Sequence, residues 1–349
     1  MSPKQDYQFT EEEKNILSFD ENEFADDIFE DIPTEHAPAK KKISFHMIFF
    51  AIAGLVLIFA VARLLIWNRG ESSGYDPTED TSEFDTEPLD YIQPLSDTQL
   101  AGKPDDGVNT ILCLGNSTFA DSGKDNPLAT SLANAMDATI LNAAFADSYQ
   151  SQKNAAFDIS VPQDGISLYE VTKALMTGDF TNVEKAASYI SEEAQRKAAA
   201  IKEFDVASAD MVIIMYDISD YIDHRPVMDP NDENNLLTYC GALNASINLI
   251  QKKYPYIRIV VVSTPASGKT IDNYYVDGNI HDLGNGTLID YMGHEVNVAI
   301  SNGVSFIDTY FGVINVDNRN QYIKDDYHIN WEGAKAISER IAKLVPLTP

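Results

Sequence analysis

The chain has 349 residues, 44% of them hydrophobic, which is enough for one large or two modest domains with a real core. Its formal net charge of −29 argues against nucleic acid or any other polyanion as a partner. Two cysteines, Cys113 and Cys240, are too few for a disulfide framework and read as core thiols. No zinc or EF-hand spacing occurs, so no metal site and no cofactor is expected.

Taken in chain order, residues 1–42 open with an acidic stretch that includes "DENEFADDIFEDIP". Its charge repels itself and it carries little apolar surface to offset ordering, so a disordered tail is expected. Phe24, Ile28 and Phe29 among the acids form either a docking motif for a cytoplasmic partner or part of a plain solvated tail. Residues 43–67 follow, and from Ile43 to Ala62 no Asp, Glu, Lys or Arg appears. At about 1.5 Å per residue, roughly 20 such residues span a bilayer core of about 30 Å. Arg63 can snorkel and Trp67 suits the interface. The segment starts too far from Met1, and lacks the small-residue site, for a cleaved signal peptide. Lys40, Lys41 and Lys42 precede it and acids follow it, which orients a single transmembrane helix with its N-terminus cytoplasmic. Residues 68–107 are rich in Pro, Gly, Ser, Thr and acids, the composition of a linker.

From Val108 the texture changes, and residues 108–349 read as an extracytoplasmic domain. "VNTILCLG", "ATILNAAF", "ADMVIIMYD", "IRIVVVSTP" and "GVSFIDTY" are short apolar runs without alternation. Between and after them lie helical patterns over Pro127–Met136, Val183–Phe204, Asn234–Lys253, Leu288–Ser301 and Trp331–Leu344. Buried strands interleaved with helices predict an α/β class, a doubly wound parallel sheet covered on both faces. In such sheets ligands lie beyond the carboxyl ends of the strands.

The strand ends are polar: "GNSTFAD", "NAAFADSY", "YDISDY", "STPASG", and, before the last helix, "DDYHIN". A serine hydroxyl needs a base within reach to become a nucleophile, and histidine suits because its pKa lies near neutrality. The other ring nitrogen needs an orienting carboxylate, and Asp325 stands three residues before His328, a spacing that one turn closes. A tetrahedral oxyanion also needs donors.

The order Gly115-Asn116-Ser117 after the first strand, a polar turn after the second and third, and "DDYHINWEG" before the final helix resembles the SGNH (GDSL-type) hydrolase family over about residues 108–344. The resemblance implies a three-layer, flavodoxin-like fold, with Ser117 as nucleophile, His328 as base and then acid, and Asp325 as its orienting carboxylate. It also implies an oxyanion hole built from Ser117, Ala144 and Ser219; Asn116 and Asp220 are candidates for substrate contact, Asp220 against the alternative of a cap on the loop after the strand. Asn116 replaces the family's aspartate, Ala144 a glycine and Ser219 an asparagine. Asp217 near the hole would weaken it by repulsion. In the polar loop after the third strand, His224 and Arg225 are candidates for contact with an anionic or sugar substrate, against the alternative of a solvated loop.

Two functions follow as expectations. One is a membrane-anchored serine esterase acting on O-acyl, foremost O-acetyl, esters of a cell-surface or environmental carbohydrate. The other is a non-catalytic module of the same fold that binds a surface glycan or a protein.

Overall fold

The computed structural model describes residues 87–347, apart from 105 and 121–126, together with Leu57. The chain divides into two units, 1–81 and 82–349, and all described residues except Leu57 belong to the second. The expected acidic tail, the segment 43–67 apart from Leu57, and residues 68–86 therefore lie outside the described residues. Among the described residues no helix is long and apolar enough to cross a membrane.

Five parallel strands form the main sheet: β1 (Thr110–Gly115), β2 (Thr139–Asn142), β3 (Met211–Met215), β4 (Arg258–Val262) and β7 (Ser305–Ile307). Their order is β2-β1-β3-β4-β7. All five lie within the apolar runs, and β1 and β3 are buried at every position. The lack of alternation has a direct cause, since successive side chains enter two different cores. Leu112, Leu114, Val212, Ile214 and Val261 join one core with the helices Leu168–Thr177, Thr181–Ile190, Tyr239–Lys253 and Leu288–Ser301. Ile111, Cys113, Ile213, Met215 and Val262 join the other with Pro127–Met136 and Trp331–Leu344. This gives an α/β domain of three layers around a parallel sheet, as expected. Cys113 and Cys240 are both buried free thiols.

Three local expectations need correction. The helix expected over 183–204 is two helices, Thr181–Ile190 and Glu192–Lys202. Ser191 sits between them in extended backbone, and its side chain accepts the Ala194 N–H as an N-cap. The helix expected from 234 begins at Tyr239, where the Thr238 side chain caps it by accepting from Gly241 N. Finally, the end of the expected linker belongs to the domain. Tyr91 pairs with Phe306 on β7 through N–H···O bonds of 2.9 and 2.7 Å, and Gln93 N donates to Ser305 Oγ at 3.0 Å. This segment covers the exposed edge of the sheet, which would otherwise present unpaired backbone groups.

A hairpin that periodicity did not single out follows β4: β5 (Gly268–Ile271) and β6 (Tyr274–Asp277), antiparallel. Its turn residues Asp272 and Asn273 both have positive φ, 50° and 67°. Two such residues between short strands make the tight turn whose twist matches a hairpin.

Candidate active site

The strand ends converge on one cleft lined by Ser117, Thr118, Asp217, Thr264, Pro265, Tyr327, His328 and Ile329, about 320 Å³ including its open mouth. It lies beyond β1, β3 and β4, where the chain order of a doubly wound sheet places ligands.

Ser117 is delivered by the end of β1. Gly115 must be glycine because a Cβ there would collide with Met215 O and press on the Phe119 ring. Ser117 then opens the short helix Ser117–Ala120. Among the described residues, nothing hydrogen-bonds to its hydroxyl, His328 included, although both side chains line the cleft.

His328 is delivered by a loop held on several sides. Its Nδ1 lies 2.9 Å from Asp325 Oδ2 and 3.1 Å from Oδ1. The same carboxylate accepts Tyr327 N at 3.0 Å and His328 N at 2.9 Å, so Asp325 shapes the turn as well as the imidazole. Burial pushes the Asp325 carboxyl up, but these backbone and ring hydrogen bonds together with the His328 charge outweigh it and hold the group below its usual value. The Tyr327 ring stacks on the imidazole with centroids 4.2 Å apart. A carboxylate facing Nδ1 keeps a proton there and leaves Nε2 to serve as base. Behind the loop, Lys324 N donates to His328 O at 2.8 Å. Asn330 then caps the last helix by accepting from Gly333 N at 2.9 Å. The spacing D-x-x-H-x-N-x-x-G thus has a local mechanical basis.

The hairpin braces this loop from outside. Asp326 accepts Thr270 N at 2.7 Å and Thr270 Oγ1 at 2.8 Å. The Arg319 guanidinium lies 4.0 Å above the Tyr275 ring and donates to Asp326 O at 3.0 Å.

The remaining expected site residues take other places. Asn116 is fully buried and its amide is consumed: Nδ2 donates to Asp217 Oδ1 at 2.6 Å and to Ser148 O at 3.3 Å, while Oδ1 accepts Asp217 N at 3.0 Å. It ties strand ends together and is not among the residues that line the cleft. The Ala144 N–H donates to Asn142 Oδ1 at 3.1 Å, so it is not a free oxyanion donor. Ser219 turns both its N–H (2.9 Å) and its hydroxyl onto Asp217 Oδ1. Asp220 is 1% exposed and accepts Gln150 N at 2.8 Å and Ser151 N at 3.0 Å, which makes it a strut between two strand-end loops. Burial raises its pKa, against the Ser151 and Gln150 hydrogen bonds and the Arg225 charge. Arg225 is itself buried, with its guanidinium 4.7 Å above the Tyr149 ring. His224 is bound through Nδ1 to Leu283 O, and its carbonyl accepts Asn285 Nδ2 at 2.7 Å. None of these six lines the cleft.

The residues that pattern reasoning missed are Thr264 and Tyr327 on the cleft wall, and Asp147. Asp147 takes a left-handed backbone, φ 56°, that favours glycine, and its charge reaches Tyr327. The signal for Thr264 was present in "STP" at a strand end.

No family model matches the chain, and no curated protein matches it. Solved structures do resemble it. A carbohydrate acetylesterase from Sinorhizobium meliloti is 14% identical, covering 67% of this chain and 97% of that one, with a TM-score of 0.38. A structure described as a possible lipase from Chitinophaga pinensis is 11% identical over 67% and 96%, TM-score 0.44. A peptidoglycan O-acetylesterase is 17% identical over 40% and 37%, TM-score 0.31. At such identities and scores these likenesses settle nothing about the chemistry, which rests on the residues of the cleft.

Proposed function

We propose that the domain is a serine esterase of the SGNH type that cleaves small O-acyl esters. The observation that carries this is the Asp325–His328 pair, hydrogen-bonded and braced, facing the same cleft as the Ser117 hydroxyl. Ser117 Oγ attacks the ester carbonyl as His328 Nε2 takes its proton, and Asp325 steadies the imidazolium. His328 then returns that proton to the leaving alkoxide, and a water deprotonated at Nε2 hydrolyses the acyl-enzyme. The small cleft, walled by Pro265, Ile329 and Tyr327, suits an acetyl group better than a long acyl chain. An O-acetylated carbohydrate at the cell surface or in the surroundings is the substrate class. Residues 43–67 anchor the domain outside a membrane, and the acidic tail, with Phe24, Ile28 and Phe29, is left to a cytoplasmic partner.

The test is turnover of acetyl esters and labelling by a fluorophosphonate with the full chain in detergent. Wild type is expected to be active and labelled, and Ser117→Ala to be neither. Equal behaviour of the two proteins would end the esterase proposal. Protease added to intact cells should remove the domain while sparing the tail; protection of the domain would contradict the orientation.

A second function, the non-catalytic binding module, is favoured by one observation: an acidic side chain, Asp217, stands in the wall of the cleft that Ser117 and His328 line. The same labelling experiment separates the two.

A further inference from the structure

Two of the three expected oxyanion donors are spent, since Ala144 N–H serves Asn142 and both Ser219 donors serve Asp217. The cleft wall nevertheless holds two buried polar atoms with no partner among the described residues, Asp217 Oδ2 and Thr264 Oγ1. Their residues are 6% and 7% exposed. Buried polar atoms normally have hydrogen-bond partners, so two orphans in one cleft beside a candidate nucleophile point to a ligand group. Asp217 Oδ1 accepts Asn116 Nδ2, Ser219 N and Ser219 Oγ, which fixes the carboxyl plane and leaves Oδ2 without a partner among the described residues.

Building on the esterase proposal, we infer that the Asp217 carboxyl in its protonated form and the Thr264 hydroxyl are the side-chain donors to the oxyanion formed at Ser117. A neutral acid has an O–H at Oδ2 to donate, whereas a carboxylate there would repel the developing negative charge. Neutrality agrees with the surroundings. Burial raises the Asp217 pKa, opposed by the hydrogen bonds from Ser219 and Asn116 and by the His328 charge. Tyr216 on β3 and Tyr327 beside the imidazole both feel the Asp217 charge, while Asp220, three residues on, has Arg225 as its cation.

The productive state then has Asp217 protonated and His328 neutral. Turnover falls at high pH as Asp217 loses its proton. Asp217→Asn keeps the acceptor for Asn116 and Ser219 and puts a permanent N–H donor in place of Oδ2. The experiment is the pH profile of kcat for p-nitrophenyl acetate with the full chain in detergent, for wild type, Asp217→Asn, Thr264→Val and Ser117→Ala. It is joined to an infrared pH titration of wild type against Asp217→Asn, with circular dichroism to confirm folding. The expected result is an alkaline limb in wild type that Asp217→Asn abolishes, with a protonated-carboxyl band in the wild-type-minus-variant difference at the optimum. Thr264→Val is expected to lower kcat about 10²–10³-fold, as the loss of one oxyanion donor does. A folded but inactive Asp217→Asn, an unchanged alkaline limb, or no carboxyl band would overturn the inference while leaving Ser117-dependent esterase activity standing. Wild-type turnover no higher than that of Ser117→Ala would overturn both.

Discussion

Glu295 offers a quantitative test of how burial governs this domain. It lies on the helix Leu288–Ser301, is 2% exposed, and accepts a 3.0 Å hydrogen bond from Tyr239 Oη. Burial pushes its carboxyl up to about 8, with the Tyr239 hydrogen bond pulling the other way. The unfolded chain holds the same carboxyl near its ordinary value of 4.5. Below that value the group is neutral in both states and has no effect on stability. As pH rises the unfolded chain releases the proton while the folded protein keeps it, so stability falls until the folded group ionises near pH 8. From about 8 down to 4.5, at about 1.4 kcal/mol per pH unit, the loss comes to roughly 5 kcal/mol. That is a large part of a typical total of about 5–15 kcal/mol. Glu295→Gln keeps the volume and an acceptor for Tyr239 but cannot ionise. Urea unfolding of both proteins, followed by circular dichroism at about pH 5 and about pH 9, should show similar stability at the lower pH and the variant more stable by roughly 4–5 kcal/mol at the higher. A gap that stays constant with pH, or opens by less than about 1.5 kcal/mol, would refute the reasoning.

Two other substitutions probe the site. Asp325→Asn should leave the fold intact and lower kcat by on the order of 10³–10⁴, because an amide no longer dictates the imidazole tautomer; steady-state kinetics with circular dichroism checks this. Asp220→Ala should cost roughly 3–5 kcal/mol in a denaturant titration, since it strands the buried Gln150 and Ser151 N–H groups at about 1–3 kcal/mol each. An Asp220→Ala protein of wild-type stability would show that the strut carries no load.

The sequence by itself determined the layers and the strand ends. Runs such as "VIIM" and "IVVV" carry no polar face, so their strands must be covered on both sides, and this is a local property of composition. The Asp325–His328 pairing was also legible, because three residues separate the partners and one turn brings them together. What lay beyond pattern was decided by contacts between residues distant in the chain. Asn116 and Asp217 are 101 positions apart, and only packing of β1 beside β3 makes them partners. Once that pair forms, Asn116 and Ser219 are consumed as struts, and Ala144 is claimed by its neighbour Asn142. No spacing rule reports such competition for hydrogen bonds, since it depends on which donors a fold leaves over. The tertiary structure left over Asp217 Oδ2 and Thr264 Oγ1, on two different strand ends, because burial removed water from both and provided neither with a partner among the described residues.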